Sequence, residues 1–345
     1  MVDPQQTPSR KRDHVELCAD GDVRFRAKST GFERYELLHN ALPEIDFEEV
    51  DSCIEFAGVR CGMPLLVTSM TGGYAEAEAI NAGLGRVCEA LRIPMGVGSQ
   101  RQALEDERFH GSYRAARRAA PSIPIIGNIG AAELVRGTTV EDVRRLRDIV
   151  DANVMAVHLN PLQELMQPEG TPAFRGVLGA IERLVAVLGV PVMVKEVGAG
   201  LSGSVVQRLL DVGVRSIDVA GAGGTSWSGV EILRRADGDD DAIFWDWGIP
   251  TAECVRAARA SCERAGATLI ASGGIAGPMD IALALALGAG LAGCARPLLQ
   301  SLRSNGEEGL IALLERWRRQ LRGIMFLTGS RTVEQLRQAP VVWRG

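Results

Sequence analysis

Residues 153–164 read NVMAVHLNPLQE. After Asn153 the run VMAV is wholly apolar, and the next seven residues present His158, Asn160, Gln163 and Glu164. A continuous apolar run without polar alternation is the pattern of a parallel strand buried on both faces. Polar groups that leave such a core cost roughly 1–3 kcal/mol each if they stay buried without partners. The polar set therefore faces a place where something else satisfies it.

The same pattern recurs on both sides of this stretch. PLLVTSM (64–70), IPMGVGS (93–99) and IPIIGNIG (123–130) precede it. VPVMVKEV (190–197), VRSIDVA (214–220), TLIASGG (268–274) and AGLAGCA (289–295) follow. Segments with helical periodicity lie between most of them, such as VEDVRRLRDIV (140–150) and SVVQRLLDVG (204–213). Eight strands alternating with helices is the count of an α/β fold of the (β/α)8 TIM-barrel type. A doubly wound sheet shares the alternation, but the placement of polar residues favours the barrel. Successive runs end in Ser69-Met70-Thr71, Ser99-Gln100-Arg101, Asn128, His158, Lys195-Glu196, Asp218 and Ser272-Gly273-Gly274. The C-terminal ends of the strands are where a barrel keeps its active site.

IEFAGVRCGMP (54–64) reads as a hairpin turning at Ala57-Gly58 and closing the bottom of the barrel. The expected organisation is a single TIM-barrel domain over residues 1–345. Its parts are an N-terminal arm and barrel-closing hairpin (1–62), the barrel (63–300) and a C-terminal helical segment (301–345). RRADGDDDAIFWD (234–246) is an acidic connection in the sixth βα loop. A solvated surface is the expectation for its aspartates, with a lid as the weaker alternative.

Composition narrows the function class. Hydrophobic content of 46% with 23% charged residues is ordinary for a soluble globular protein. A net charge of −5 gives no support to a nucleic-acid surface, so any anion site is local. Seven scattered cysteines without a CxxC pair, behind a polar N-terminus, point to reduced thiols and a cytoplasmic protein. IALALALGAGLAGCA (281–295) is broken by glycines and reads as a buried helix–turn–strand unit, so no membrane span is expected.

Several endings could carry chemistry. GAGGTSW (221–227) and ASGGI (271–275) follow the sixth and seventh strands, where barrels commonly bind phosphate. Thr225 and Ser226 add hydroxyl donors, and Ala295-Arg296 follows the eighth strand. Together these point to a phosphate-bearing cofactor. Lys195 has three readings: a lysine paired with an acid at the rim, a Schiff-base lysine, or an ammonium beside the electron-rich edge of a flavin. Glu164 reads either as a helix-start carboxylate or as a lone carboxylate suited to Mg²⁺, whose other ligands come from water and substrate phosphate. His158 alone reads as a hydrogen-bonded core histidine. RKRDH (10–14) is solvated charge or an arm that clamps an anionic substrate. Cys254, within TAECVRAARA (251–260), reads as helix packing.

These motifs resemble the type 2, FMN-dependent isopentenyl-diphosphate isomerases. The resemblance runs from RKRDH to GCARPLL and includes SMTGG (69–73), GVGSQR (96–101), GNIG (127–130) and HLNPLQE (158–164). VKEVGAG (194–200), DVAGAGGTSW (218–227), WGIPT (247–251), ASGGI (271–275) and ARPLL (295–299) extend it. RKxxH, HLNxxQE and GGTSW in combination are specific to this family, whereas ASGGI and ARP are shared with other FMN barrels.

The resemblance implies a homo-oligomer, tetramer or octamer, of TIM barrels with FMN at the C-terminal mouth. It places the flavin against Ser69, Met70, Thr71, Ser99 and Asn128, with Lys195 at the polar ring edge. Thr225, Gly273, Gly274, Ala295 and Arg296 would hold the flavin phosphate. Asp218 stands where family members often carry a small polar residue. The substrate diphosphate would meet Arg10, Lys11, Arg101, His158 and a Mg²⁺ held by Glu164, while Asn160 and Gln163 line the isoprenoid pocket. Gln163, Lys195 and His158 are the implied catalytic residues. The implied reaction converts isopentenyl diphosphate to dimethylallyl diphosphate, with NADPH needed only to reduce the flavin.

Two rivals stand beside this reading. An FMN-dependent 2-hydroxyacid oxidase or dehydrogenase shares the barrel and the late phosphate turns. It needs a histidine base near the end of the barrel, and this chain has histidines only at 14, 39, 110 and 158. The other rival is a flavin-binding barrel without turnover, which leaves the ring of polar strand ends unexplained.

Overall fold

The computed structural model describes residues 6–235 and 238–345. In chain order, α1 (Gln6–Asp20) and β1 (Tyr35–Leu37) precede the hairpin of β2 (Ile54–Phe56) and β3 (Val59–Cys61). An alternating series follows: β4 (Leu65–Val67), α2 (Ala77–Leu91), β5 (Met95–Gly96), α3 (Arg101–Glu105), α4 (His110–Ala119) and β6 (Ile125–Gly130). It continues through α5 (Ala131–Val135), α6 (Val140–Val150), β7 (Val154–His158), α7 (Pro161–Met166), α8 (Val177–Val187) and β8 (Val192–Lys195). Next come α9 (Gly203–Asp211), β9 (Ser216–Asp218), α10 (Trp227–Arg234), α11 (Thr251–Ala265) and β10 (Thr268–Ser272). The chain ends with α12 (Pro278–Ala286), β11 (Leu291–Cys294), α13 (Arg296–Leu327), α14 (Val333–Leu336) and β12 (Val341–Trp343).

Strands β4 to β11 form a closed, parallel barrel in sequence order, and β11 pairs with β4 to complete it. The eight apolar runs therefore make the expected (β/α)8 barrel. Alternation along each strand separates two apolar layers. Met155 and Val157 belong to the layer shared with the helices, whereas Val154 and Ala156 join Ile126, Met193 and Ile270 inside the barrel. Phe56 and Cys61 of the hairpin pack into that inner cluster beside Val154 and Leu291, which begin their strands. The hairpin thus plugs the N-terminal end. Ala57 and Gly58 both have positive φ, 50° and 74°, as a two-residue hairpin turn with the twist of its strands requires.

The surrounding helices follow from local rules. In α6, Thr139 and Asp142 form a capping box, and Val143, Leu146 and Val150 bury one stripe. Among the described residues no helix is long and apolar enough to cross a membrane.

Two features depart from the sequence reading. The last segment is not helical to its end, because β12 pairs antiparallel with β1, aligning Trp343 with Tyr35. The acidic connection is also moored rather than purely solvated. Trp245 donates its indole N–H to the Arg24 carbonyl at 2.9 Å, with the Arg26 guanidinium 3.6 Å over its ring. Asp246 accepts from the backbone N–H groups of Arg26 and Ala27. Asp237 and the side chains of Asp239 and Asp240 lie outside the described residues.

Candidate active site

The C-terminal ends of the barrel strands open into a cavity of ≈ 780 Å³, within the range of cofactor and ligand sites. Every residue expected to touch flavin, substrate or metal lines it, whereas Gln100, Glu196, Asp218 and Ser226 are buried behind the wall. Ser69, Met70 and Thr71 follow β4, Ser99 and Arg101 follow β5, and Asn128 lies on β6. His158 ends β7, with Asn160, Gln163 and Glu164 in the loop and α7 beyond. Lys195 ends β8, Thr225 follows β9, Gly273-Gly274 follow β10, and Ala295-Arg296 follow β11. Arg10 and Lys11 enter from α1, which forms one wall.

The late turns lie backbone against backbone. A Cβ on Gly224 would sit 2.5 Å from the Gly274 nitrogen, so only glycine permits this approach. Ser226 caps α10 by accepting from the Gly229 N–H at 3.0 Å. These glycine turns, beside the starts of α10 and α13, have the form of a phosphate cradle. The Arg296 side chain is engaged elsewhere, donating to the carbonyls of Cys18 at 2.8 Å and Gly21 at 2.6 Å. It moors α1 to the start of α13.

Lys195 donates to the backbone carbonyl of Glu196 at 2.7 Å, not to its carboxylate. That carboxylate turns into a nest of backbone N–H groups from Val197, Gly198, Ala199 and Gly200. Burial raises the Glu196 carboxyl pKa against these donors, and burial lowers that of the Lys195 ammonium against Asp218 and Glu196. Asp218 sits opposite Lys195 in the strand register and accepts from the Ser272 hydroxyl at 2.7 Å. Of the reading that pairs Lys195 with Glu196 or another rim acid, the Glu196 pair is not formed, and Asp218 is the acid that faces the ammonium.

His158 and Asn128 fix one another. The Asn128 amide N–H donates to the Val97 carbonyl, so its Oδ1 faces His158 Nδ1 at 2.9 Å. The ring then carries its proton on Nδ1 and presents an Nε2 lone pair. Burial, followed by the charges of Lys195 and Lys11, pushes the His158 pKa down to about 3. Glu164 accepts from the Thr171 N–H at 2.8 Å and the Asn160 amide at 3.1 Å. Both Asn160 Oδ1 and Thr71 Oγ1 are buried without hydrogen-bond partners among the described residues.

Positive charge is crowded on one wall. Burial and then Arg101 lower the Arg10 pKa, and burial and then Arg10 lower the Lys11 ammonium to about 7. Arg101 is partly balanced by Glu105 at 3.0 Å and Glu133 at 3.2 Å.

One polar cluster was not legible in the sequence. Glu231, on α10, is wholly buried and meets His14 at 2.9 Å, Arg234 at 2.6 Å and the Gln163 amide at 3.0 Å. Burial pushes its carboxyl up, but the hydrogen bond and charge of His14, with Gln163 and Arg234, outweigh it and hold it at about 2. A lone glutamate in an amphipathic helix reads as surface, and its partner lies far away in the RKRDH motif.

Comparison with known proteins gives the family and the fold. Residues 138–344 match the family described as FMN-dependent dehydrogenase. The chain is 45% identical over 348 residues to isopentenyl-diphosphate delta-isomerase of Chlorobaculum parvum, covering 97% of each chain. It is 46% identical over 338 residues to the protein of that name from Stutzerimonas stutzeri, again covering 97% of each. Among solved structures, mandelate oxidase superposes with a TM-score of 0.67 over 99% of both chains at 18% identity, a likeness of fold alone.

Proposed function

The chain belongs to the isopentenyl-diphosphate delta-isomerase family, an isomerase on the barrel of the FMN-dependent dehydrogenases, and from this we propose that it interconverts isopentenyl and dimethylallyl diphosphate. The observation that carries the reading is the crowded positive wall formed by Arg10, Lys11 and Arg101 beside a carboxylate, Glu164, in one cavity with the phosphate-cradle turns. Arg10 has its pKa lowered by burial and by Arg101, whose own charge Glu105 and Glu133 partly balance, so this wall favours a polyanion and a diphosphate relieves the repulsion.

The cavity fits two anionic groups at once. FMN would lie against Ser69, Met70, Thr71, Ser99 and Asn128, with its phosphate on Thr225, Gly273-Gly274 and Ala295-Arg296. The unpartnered Thr71 hydroxyl is the observation that supports a polar ligand there. Bound in its reduced form, FMN supplies an acid–base group beside the isoprenoid chain. Mg²⁺ fits Glu164 because the nearby donors are hard oxygens, including the unpartnered Asn160 Oδ1, and a diphosphate completes the ligand set.

The reaction adds a proton at the terminal alkene carbon and removes one two carbons away, so no net oxidation occurs. NADPH is required only as the reductant of the flavin. Arg10 and Arg101 bind the diphosphate, and Lys11 adds charge. Lys195 stabilises negative charge at the cofactor edge. His158 holds a proton at Nδ1 and offers Nε2 as an acceptor. Gln163, held by Glu231, and Asn160 orient the isoprenoid chain. Assembly into a homo-oligomer is supported by Leu38, Leu42, Leu327 and Trp343, exposed apolar side chains near the paired β1 and β12.

The test is anaerobic conversion of isopentenyl diphosphate by the FMN-loaded protein with Mg²⁺ and NADPH. Glu164→Gln should keep its flavin but lose at least tenfold in turnover at limiting Mg²⁺. Oxidation of a 2-hydroxy acid in place of isomerisation would overturn the reading. Unchanged Mg²⁺ dependence in the variant would remove Glu164 from the metal role.

A further inference from the structure

Lys11 does not extend freely into the cavity. Its ammonium donates to the Gly72 carbonyl at 2.7 Å, the Ser99 carbonyl at 3.0 Å and the Tyr113 hydroxyl at 2.9 Å. An ammonium has three hydrogens, and three acceptors take them. The Tyr113 hydroxyl in turn donates to the Ser99 carbonyl at 2.7 Å, and the whole side chain is buried on α4. The socket is rigid on its other side as well. The Gly73 N–H donates to the Ser112 hydroxyl, and Asn81 donates to the carbonyls of Thr71 and Ser112. A Cβ at Gly73 would lie 2.4 Å from Lys11 Nζ and 2.7 Å from the Tyr113 hydroxyl, at a φ of +82°. The glycine loop is thus shaped around a seated lysine.

We propose that Tyr113 is a positioning residue: with the Gly72 and Ser99 carbonyls it seats Lys11, fastening α1 across the barrel mouth so that Arg10 and His14 face the cavity. The far end of α1 is tied separately, where Arg296 and Gln300 donate to the carbonyls of Cys18, Gly21 and Ala19. Loss of the socket therefore loosens the charged first half of the helix around Arg10 and Lys11, while Arg12 keeps Glu76, His14 keeps Glu231 and the second half stays moored. The catalytic consequence rests on the diphosphate reading, but the seating itself does not.

Tyr113→Phe removes one oxygen from the socket and leaves the ring in the core. In the FMN-loaded protein without substrate, amide hydrogen exchange over residues 6–14 should accelerate by roughly tenfold, the scale of a lost hydrogen bond to a charged group. The KM for isopentenyl diphosphate should rise by a similar factor, with kcat changed less than about twofold. Lys11→Gln loosens the same segment without touching the core, and should accelerate exchange comparably. The double variant should exchange no faster than the more affected single one, because both act through one contact. Unchanged exchange in Tyr113→Phe, or additive effects in the double variant, would overturn the proposal. Faster exchange in both single variants of a protein that makes no dimethylallyl diphosphate would support the seating and sink the isomerase reading instead.

Discussion

The neutral His158 imidazole shows how much a single environment decides. Burial and two nearby lysines depress its pKa from the ordinary 6.5 to about 3. The unfolded chain binds more protons than the folded one between those values, so His158 removes stability as pH falls from about 6.5 toward 3. His158→Gln should flatten that part of the acid limb, measured by urea unfolding at a series of pH values. An acid limb identical to that of the parent would show that the ring charges as readily when folded. The place of this residue on the cavity wall was legible only through the polar set His158, Asn160, Gln163 and Glu164 that ends the buried run, since the histidine alone reads as a core residue. Its tautomer was not, since that depends on the Asn128 amide in the neighbouring strand and its bond to Val97. Lys195 illustrates the same limit: sequence placed it at the rim beside Glu196, but the nest that draws the carboxylate away is a property of the backbone at 197–200.

Among the elements, the strands of the barrel were legible because burial on both faces leaves a continuous apolar record. The hairpin of β2 and β3 was legible through its turn residues. Its role as a plug depends on Phe56, which is 5% exposed and belongs to the inner cluster of the barrel. Phe56→Ala should destabilise the protein by about 3–5 kcal/mol, the usual cost of emptying a buried aromatic site, while flavin affinity at the opposite end is kept. Chemical denaturation with a parallel flavin titration checks both parts, and a loss below about 1 kcal/mol would mean the plug contributes little. The pairing of β1 with β12 was hidden for a different reason. Its strands are three residues each, lie near opposite ends of the chain and are held partly by the Tyr35–Trp343 contact and the Arg344–Glu36 ion pair. No local pattern records such a pairing. Helix α1 was legible only as a charged arm, because its fastening uses carbonyl acceptors on other elements.

For the whole molecule, the closed barrel gathers side chains from eight strand ends into one cavity, and α1 completes its wall. The ring of polar strand ends made this site readable before any contact was known. What the sequence could not supply is the balance of charge within it: a neutral histidine, a carboxylate held at about 2 on Glu231, and crowded cations at the arm. The proposed reaction moves protons between two substrate carbons with no net oxidation. The most direct measurement is anaerobic conversion of isopentenyl diphosphate by protein whose FMN has been reduced by light, with Mg²⁺ and no pyridine nucleotide. Many molecules of dimethylallyl diphosphate per flavin, with the flavin still reduced at the end, is the predicted result. Flavin oxidised in proportion to substrate consumed, or no product from fully reduced and substrate-saturated protein, would contradict the account.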